Sequence, residues 1–328
     1  MIFPVPDNAA DTGVEGLPAR RAALSVLTDV LLRKKLLDVA LEGAKSLAVL
    51  STRDRAFARM LISTVLRRKG QMDDLIARAM DKGEAPRPDA LRFILYLGIA
   101  QVLFMDVPDH AAVDMSVRLA EAEGLSKQKG FVNAVVRRMT REGKTWVSSQ
   151  DEIALNFPDW MVDEWRHTYG ASEAASIAQA LMAEAPLDIT LKNQGETALW
   201  LGALEASFLP AGTLRRQTGG AVIDLPGFRE GAWWVQSAAS ALPVKLMGDI
   251  RGKTVIDLCA APGGKTMQLR AGGANVIAVD SSSARIRVLK ENLARVKLLD
   301  GVETVIADGV SWRPKAPADI VLLDAPCS

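Results

Sequence analysis

The chain has 328 residues, 49% of them hydrophobic and 24% charged, proportions that fit an ordinary globular protein of two or three domains. Two cysteines, Cys259 and Cys327, are too few and too far apart for a disulfide framework, which points to a reducing, cytoplasmic setting. No apolar run approaches the roughly 18 residues of a membrane span. Residues 1–17 hold no lysine or arginine, lack the charged start of a signal peptide and read as a flexible tail.

The net charge of +1 hides an asymmetry. From Pro18 to Lys144 there are 23 Lys and Arg against 15 Asp and Glu, and from Thr145 to Ser328 there are 17 against 21. A basic front half joined to a mildly acidic back half fits a polyanion-holding module, or excess charge on a solvated helical face.

Residues 18–145 read as helical throughout. Leu24, Leu27 and Leu31 recur at helical spacing, as do Phe57, Met60, Leu61, Thr64 and Val65. Leu91–Met105 is nearly all apolar on every face, as in a helix at the centre of a bundle. Pro108-Asp109 opens another helix, and a last one runs from Lys127 to Arg141. An all-α bundle of six or seven helices is expected. Residues 146–235 read as a small α+β module, with helices at Asp159–Tyr169 and Ser172–Met182 and strands at Leu187–Lys192 and Ala221–Leu225. Residues 236–328 change again. Thr254–Leu258, Asn275–Asp280, Val302–Asp308 and Asp319–Asp324 are short apolar runs, with a helical stretch at Ser282–Leu299. That alternation predicts a parallel, Rossmann-like sheet of about four strands.

The first of these strands runs into Cys259-Ala260-Ala261-Pro262-Gly263-Gly264-Lys265-Thr266. Small residues in a strand-to-helix turn let a ligand approach the backbone at a helix N-terminus. A phosphate-binding loop would need glycine where Cys259 stands, so Gly264-Lys265-Thr266 is not one. A nucleoside fits better. Asp280 ends the second strand, where an acid can hold two ribose hydroxyls, and Asp308 ends the third, where it can accept from an adenine amino group. Asp324-Ala325-Pro326-Cys327 ends the fourth. Carbon 5 of cytosine becomes nucleophilic once a thiolate adds to carbon 6, and a nearby carboxylate stabilises the charge that develops on the base. On this chemistry alone Cys327 would be the nucleophile, and Cys259, among Ala and Leu, a buried structural residue. His110 and His167 are widely separated, and no metal-ligand cluster is expected.

In combination these motifs resemble the bacterial RsmB-type (Sun/Fmu) ribosomal RNA cytosine-5 methyltransferases. The markers are Leu258 through Thr266, Ala278-Val279-Asp280, Ala307-Asp308-Gly309 and Leu323 through Ser328. The front half resembles that family's NusB-like RNA-binding domain, through Ser51-Thr52-Arg53-Asp54-Arg55, Val107 through Ala111 and Lys129 through Arg138. Trp234-Val235-Gln236 matches the approach to the methyltransferase domain, although Ser237 stands where the family has Asp. The resemblance implies S-adenosyl-L-methionine as cofactor and RNA, expected to be 16S ribosomal RNA, as partner. It implies that Cys259, Ala260, Ala261, Pro262, Gly263, Gly264 and Lys265, with Asp280, Asp308 and Asp324, surround the cofactor. It gives Cys327 the release of product and assigns the primary nucleophile to a cysteine in a later motif. Since the sequence ends at Ser328, the expectation is a chain cut short before that motif, without turnover, and with Ile320–Leu323 left as an apolar sheet edge. Two other readings stay open: a non-enzymatic RNA-binding protein, and a transfer RNA methyltransferase of the same family.

Overall fold

Apolar residues spaced for helices in the front half wind into α1 (Leu17–Leu27), α2 (Thr52–Arg67), α3 (Lys69–Ala79), α4 (Asp89–Leu103), α5 (Asp109–Ala122) and α6 (Lys129–Arg138). The computed structural model describes residues 15–80, 86–217 and 222–325, in two compact units that part between Glu184 and Ala185. In the first unit α4 lies at the centre, with α1, α2, α5 and α6 packed around it. Its buried residues run from Phe93 to Val102 without a polar face, and they include Gln101. That amide donates to the Leu97 carbonyl at 2.7 Å and accepts from Arg20 Nε at 2.8 Å. Arg20 lies over the Phe57 ring, and burial pushes its guanidinium down to about 10. A buried charge is tolerable here because its hydrogen bonds are met.

The bundle does not stop at residue 145. Gln71, Gln150 and Asn156 form a polar network: Gln71 N–H donates to Asn156 Oδ1 at 3.1 Å, and Asn156 Nδ2 to Gln71 Oε1 at 3.0 Å. It seats the short helix Glu152–Asn156 on α3. Then come α7 (Asp159–Tyr169) and α8 (Ala171–Met182), both in the first unit.

The second unit has two sheets. The first is antiparallel, in the order β2-β3-β1-β4, made of β1 (Leu187–Leu191), β2 (Ser207–Phe208), β3 (Leu214–Arg216) and β4 (Trp233–Val235). The strand expected at Ala221–Leu225 is not formed. Ala221 lies outside the described residues and Val222–Asp224 make a 3-10 turn. Pro226 and Gly227, at φ +81°, bend the chain before any pairing can start. Next is α9 (Ala238–Leu246), capped by the Ser237 hydroxyl, which accepts from Ser240 N–H.

The second sheet is wholly parallel. Its strands β5 (Thr254–Leu258), β6 (Asn275–Asp280), β7 (Val302–Ile306) and β8 (Ile320–Leu323) stand in the order β7-β6-β5-β8. Helix α10 (Gly264–Ala271) joins β5 to β6, and α11 (Ser283–Arg295) joins β6 to β7. The chain steps outward from β5 to β7 and then returns to the other side of β5, so the topological switch point lies between β5 and β8.

Adjacent tryptophans tie the sheets together, because successive strand residues face opposite ways. Trp233 fills the antiparallel core with Ile189, Leu191 and Leu214, while Trp234 packs with Ala261, Met267, Ile286 and Leu289 of the parallel half. Trp234 is 1% exposed. Trp234→Ala should therefore destabilise the second unit by about 3–5 kcal/mol. Denaturant unfolding measures it, and an unchanged midpoint would mean that the two sheets do not share a core.

Candidate active site

At the end of β5 the backbone turns sharply. Cys259 has φ +61°, and Gly263, at φ +106°, caps α10. A side chain at Gly263 would also press on Leu289, its Cβ lying 3.1 Å from Leu289 Cγ. Glycine is needed there for both reasons. The turn closes through Gly263 N–H to the Ala260 carbonyl at 2.9 Å, and Ala260 N–H bonds Val279 on β6 at 3.0 Å. The amides at the start of α10 are thereby presented at the carboxyl edge of the sheet.

Four aspartates belong to this edge. Asp280, 3% exposed, accepts from Ala261 N–H at 3.3 Å and from Ser282 N–H at 3.0 Å. Arg285 of α11 stands 3.7 Å from it and donates to the Ala261 carbonyl, so α11 grips the turn from the far side. Asp308, exposed beyond β7, accepts from Val310 N–H at 2.9 Å. Asp324, exposed beyond β8, pairs with Lys265 of α10 across the switch point. Asp257 lies beneath them, 1% exposed, accepting from the Thr266 hydroxyl at 2.6 Å. Cys259 is half-buried, and burial, followed by the nearby Asp280, pushes its thiol up, away from a reactive thiolate. Pro326, Cys327 and Ser328 lie outside the described residues.

The structure thus brings Cys259 through Lys265, Asp280, Asp308 and Asp324 to one edge. Sequence reasoning missed Asp257, Thr266 and Arg285. It also missed Gln236, which accepts from Trp234 Nε1 at 2.9 Å and donates to Gln268 of α10 at 2.9 Å. Asp257 ends its strand one residue early, and its partner Thr266 was visible nine positions on; only burial reveals the pairing.

The arginines of the basic half divide into two groups. Arg55 donates to the carbonyls of Leu47, Ala48 and Leu50, Arg68 lies over Phe104, and Arg138 lies over Trp146. These brace the bundle. Arg53 and Arg59 are exposed on α2, and Arg67, at its last position, is half-buried.

Burial pushes the Asp257 carboxyl up to about 6, with the Thr266 hydrogen bond pulling the other way. In the unfolded chain it titrates near 4. Between those values the folded chain keeps a proton that the unfolded chain has released. The stability tied to this group therefore falls as pH rises from about 4 to about 6 and stays low above that. Asp257→Asn should remove the decline, so the variant gains on wild type by up to about 3 kcal/mol between pH 4 and pH 7. Urea titrations across that range test it; parallel curves would mean that water reaches the carboxyl.

The NusB family matches residues 17–141, and the 16S rRNA methyltransferase RsmB/F family matches residues 246–328. A Synechocystis protein described as "Probable ribosomal RNA small subunit methyltransferase B" is 33% identical over 337 residues, covering 95% of this chain and 75% of its own length. The ribosomal RNA small subunit methyltransferase B of Xanthomonas campestris is 30% identical over 333 residues, covering 98% of this chain and 75% of its own. The crystal structure of PH0851 superposes with a TM-score of 0.65 at 19% identity, over 96% of this chain and 75% of that one, a likeness of fold. With a helical NusB region, a parallel sheet carrying the glycine turn, and relatives aligned across both, the chain belongs to the ribosomal RNA small subunit methyltransferase B family.

Proposed function

We propose that this protein binds S-adenosylmethionine at the carboxyl edge of its parallel sheet and acts on carbon 5 of a cytosine in 16S ribosomal RNA. One observation carries the reading: the glycine turn after β5 and the ends of β6, β7 and β8 share one carboxyl edge of the sheet, with Asp280 closing β6, Asp308 just beyond β7 and Asp324 directly after β8. The donor set suits the cofactor. Backbone amides and a carboxylate at the end of β6 match a ribose-bearing ligand, and Gly264 leaves its side of the turn open, with nothing closer than Gln236 at 3.8 Å to an added Cβ. Each Asp280 oxygen meets one backbone N–H and keeps a second lone pair for a ribose hydroxyl. Asp308 is the candidate partner for the adenine amino group.

Bound S-adenosylmethionine would supply a methyl group on a sulfonium. Everything else falls to the chain. Cys259 through Lys265 would cradle the ligand, and Asp324, held by Lys265, would face the base and stabilise charge on its ring. In the family that the sequence resembles, the thiol that adds to carbon 6 stands in a later motif and the cysteine at position 327 assists product release. The exposed Arg53 and Arg59 of α2 are the natural footing for RNA phosphates.

Asp280→Ala should weaken binding of S-adenosylhomocysteine by about a hundredfold or more, since each of the two charge-assisted hydrogen bonds lost costs about 1.5–3 kcal/mol. Calorimetry reads this directly, and unchanged affinity would remove the cofactor assignment. Separately, deleting the gene should erase a 5-methylcytidine from small-subunit ribosomal RNA. A nucleoside profile identical to the parent strain's would sink the assignment of base and substrate while leaving the cofactor site standing.

A further inference from the structure

We infer that the outer face of α7 is a docking surface for a basic protein segment, rich in arginine or lysine. The helix is anchored without that face. Val162 is buried, and Trp165 packs edge-on against Phe157 with ring centroids 5.4 Å apart. Trp160 plays no part in this contact and is 69% exposed. Asp163, Glu164 and His167 follow it at three, four and seven residues, which puts all four side chains on one strip of the helix. The strip therefore presents an indole face bordered by two carboxylates.

The surroundings share that charge. Residues 151–184 contain seven Asp and Glu against the single Arg166. Arg166 reaches Asp163 at 3.4 Å, with both side chains largely in water. Glu164 accepts only from the Thr168 hydroxyl, at 3.4 Å, and meets no cation among the described residues. Tyr169 and Leu181 are also more than half exposed on this pair of helices. Residues 18–144 of the same unit carry the opposite excess. A nucleic acid strand stacking on Trp160 would need cations for its phosphates and would find acids. A guanidinium or ammonium over the indole, paired to Asp163 or Glu164, meets complementary charge and an aromatic face together. Tryptophan is also enriched among the residues that carry most of the binding energy at protein interfaces.

The test uses the whole chain and a fluorescent peptide alternating arginine and leucine, beside the same peptide with citrulline replacing arginine. The arginine peptide should bind and the citrulline peptide should not. Trp160→Ala and the pair Asp163→Lys, Glu164→Lys should each weaken binding about tenfold, with melting temperature and S-adenosylhomocysteine affinity unchanged. A photocrosslinker at position 160, incubated with small ribosomal subunits, should label protein. Equal affinity of wild type and variants for the peptide, or labelling confined to RNA, would overturn the inference. Neither result bears on the cofactor site, which the affinity measurement follows independently.

Discussion

The second unit depends on how the chain leaves β5. Within a few residues it must pass from a central parallel strand into α10, and it must do so without filling the space in front of the sheet. The left-handed steps at Cys259 and Gly263 make the bend. Asp280 holds it, because one carboxylate bonds both the turn and the first residues after β6. Arg285 then fastens the opposite side through the Ala261 carbonyl. A buried carboxylate is normally a liability, and here the backbone N–H groups that would otherwise be orphaned in the turn offset its desolvation. The same bonds therefore shape the turn and set β6 and α11 against it.

Much of this was legible in the sequence, for reasons that can be stated. The strands at Thr254–Leu258 and Asn275–Asp280 are five and six residues long, and apolar stretches such as Val276 to Val279 between turn signals mark them. Helix α7 was visible over its full length from its proline entry to Gly170. The strands β2, β3 and β4 were not, because two or three residues cannot establish a period. β3 and β4 exist because β1 offers partners on both edges, β2 then adds to β3, and Asp188 fixes β3 through a two-pronged bond to Arg215 at 2.7 and 2.9 Å.

The site divided along similar lines. Residues whose place follows from the strand pattern, such as Asp280 and Asp308 at strand ends, could be located in advance. Asp257 could not, since its environment is made by the surrounding sheet rather than by its neighbours in sequence. Counting arginines gave a correct sum but no way to weigh its members. Arg55 spends its guanidinium on three carbonyls, whereas Arg53, two residues earlier, points into water. Two helical positions separate a brace from a surface charge.

The loop before Trp233 carries a further implication. Gly231, at φ +74°, lies so close to the end of α11 that an added Cβ would stand 2.1 Å from the Arg295 carbonyl oxygen. Arg295 in turn lies 4.0 Å over the Phe228 ring and donates to the carbonyls of Phe228 and Trp233. Lys192 reaches the Val296 carbonyl at 2.8 Å from the other side. Gene recombination between relatives that joined one parent's residues up to Val235 to another's from Gln236 would separate each of these pairs. Both halves would have to come from parents already matched at this seam. A crossover near Glu184 breaks none of them. For such an exchange the antiparallel sheet and the Rossmann-like half behave as one piece, despite their different architecture.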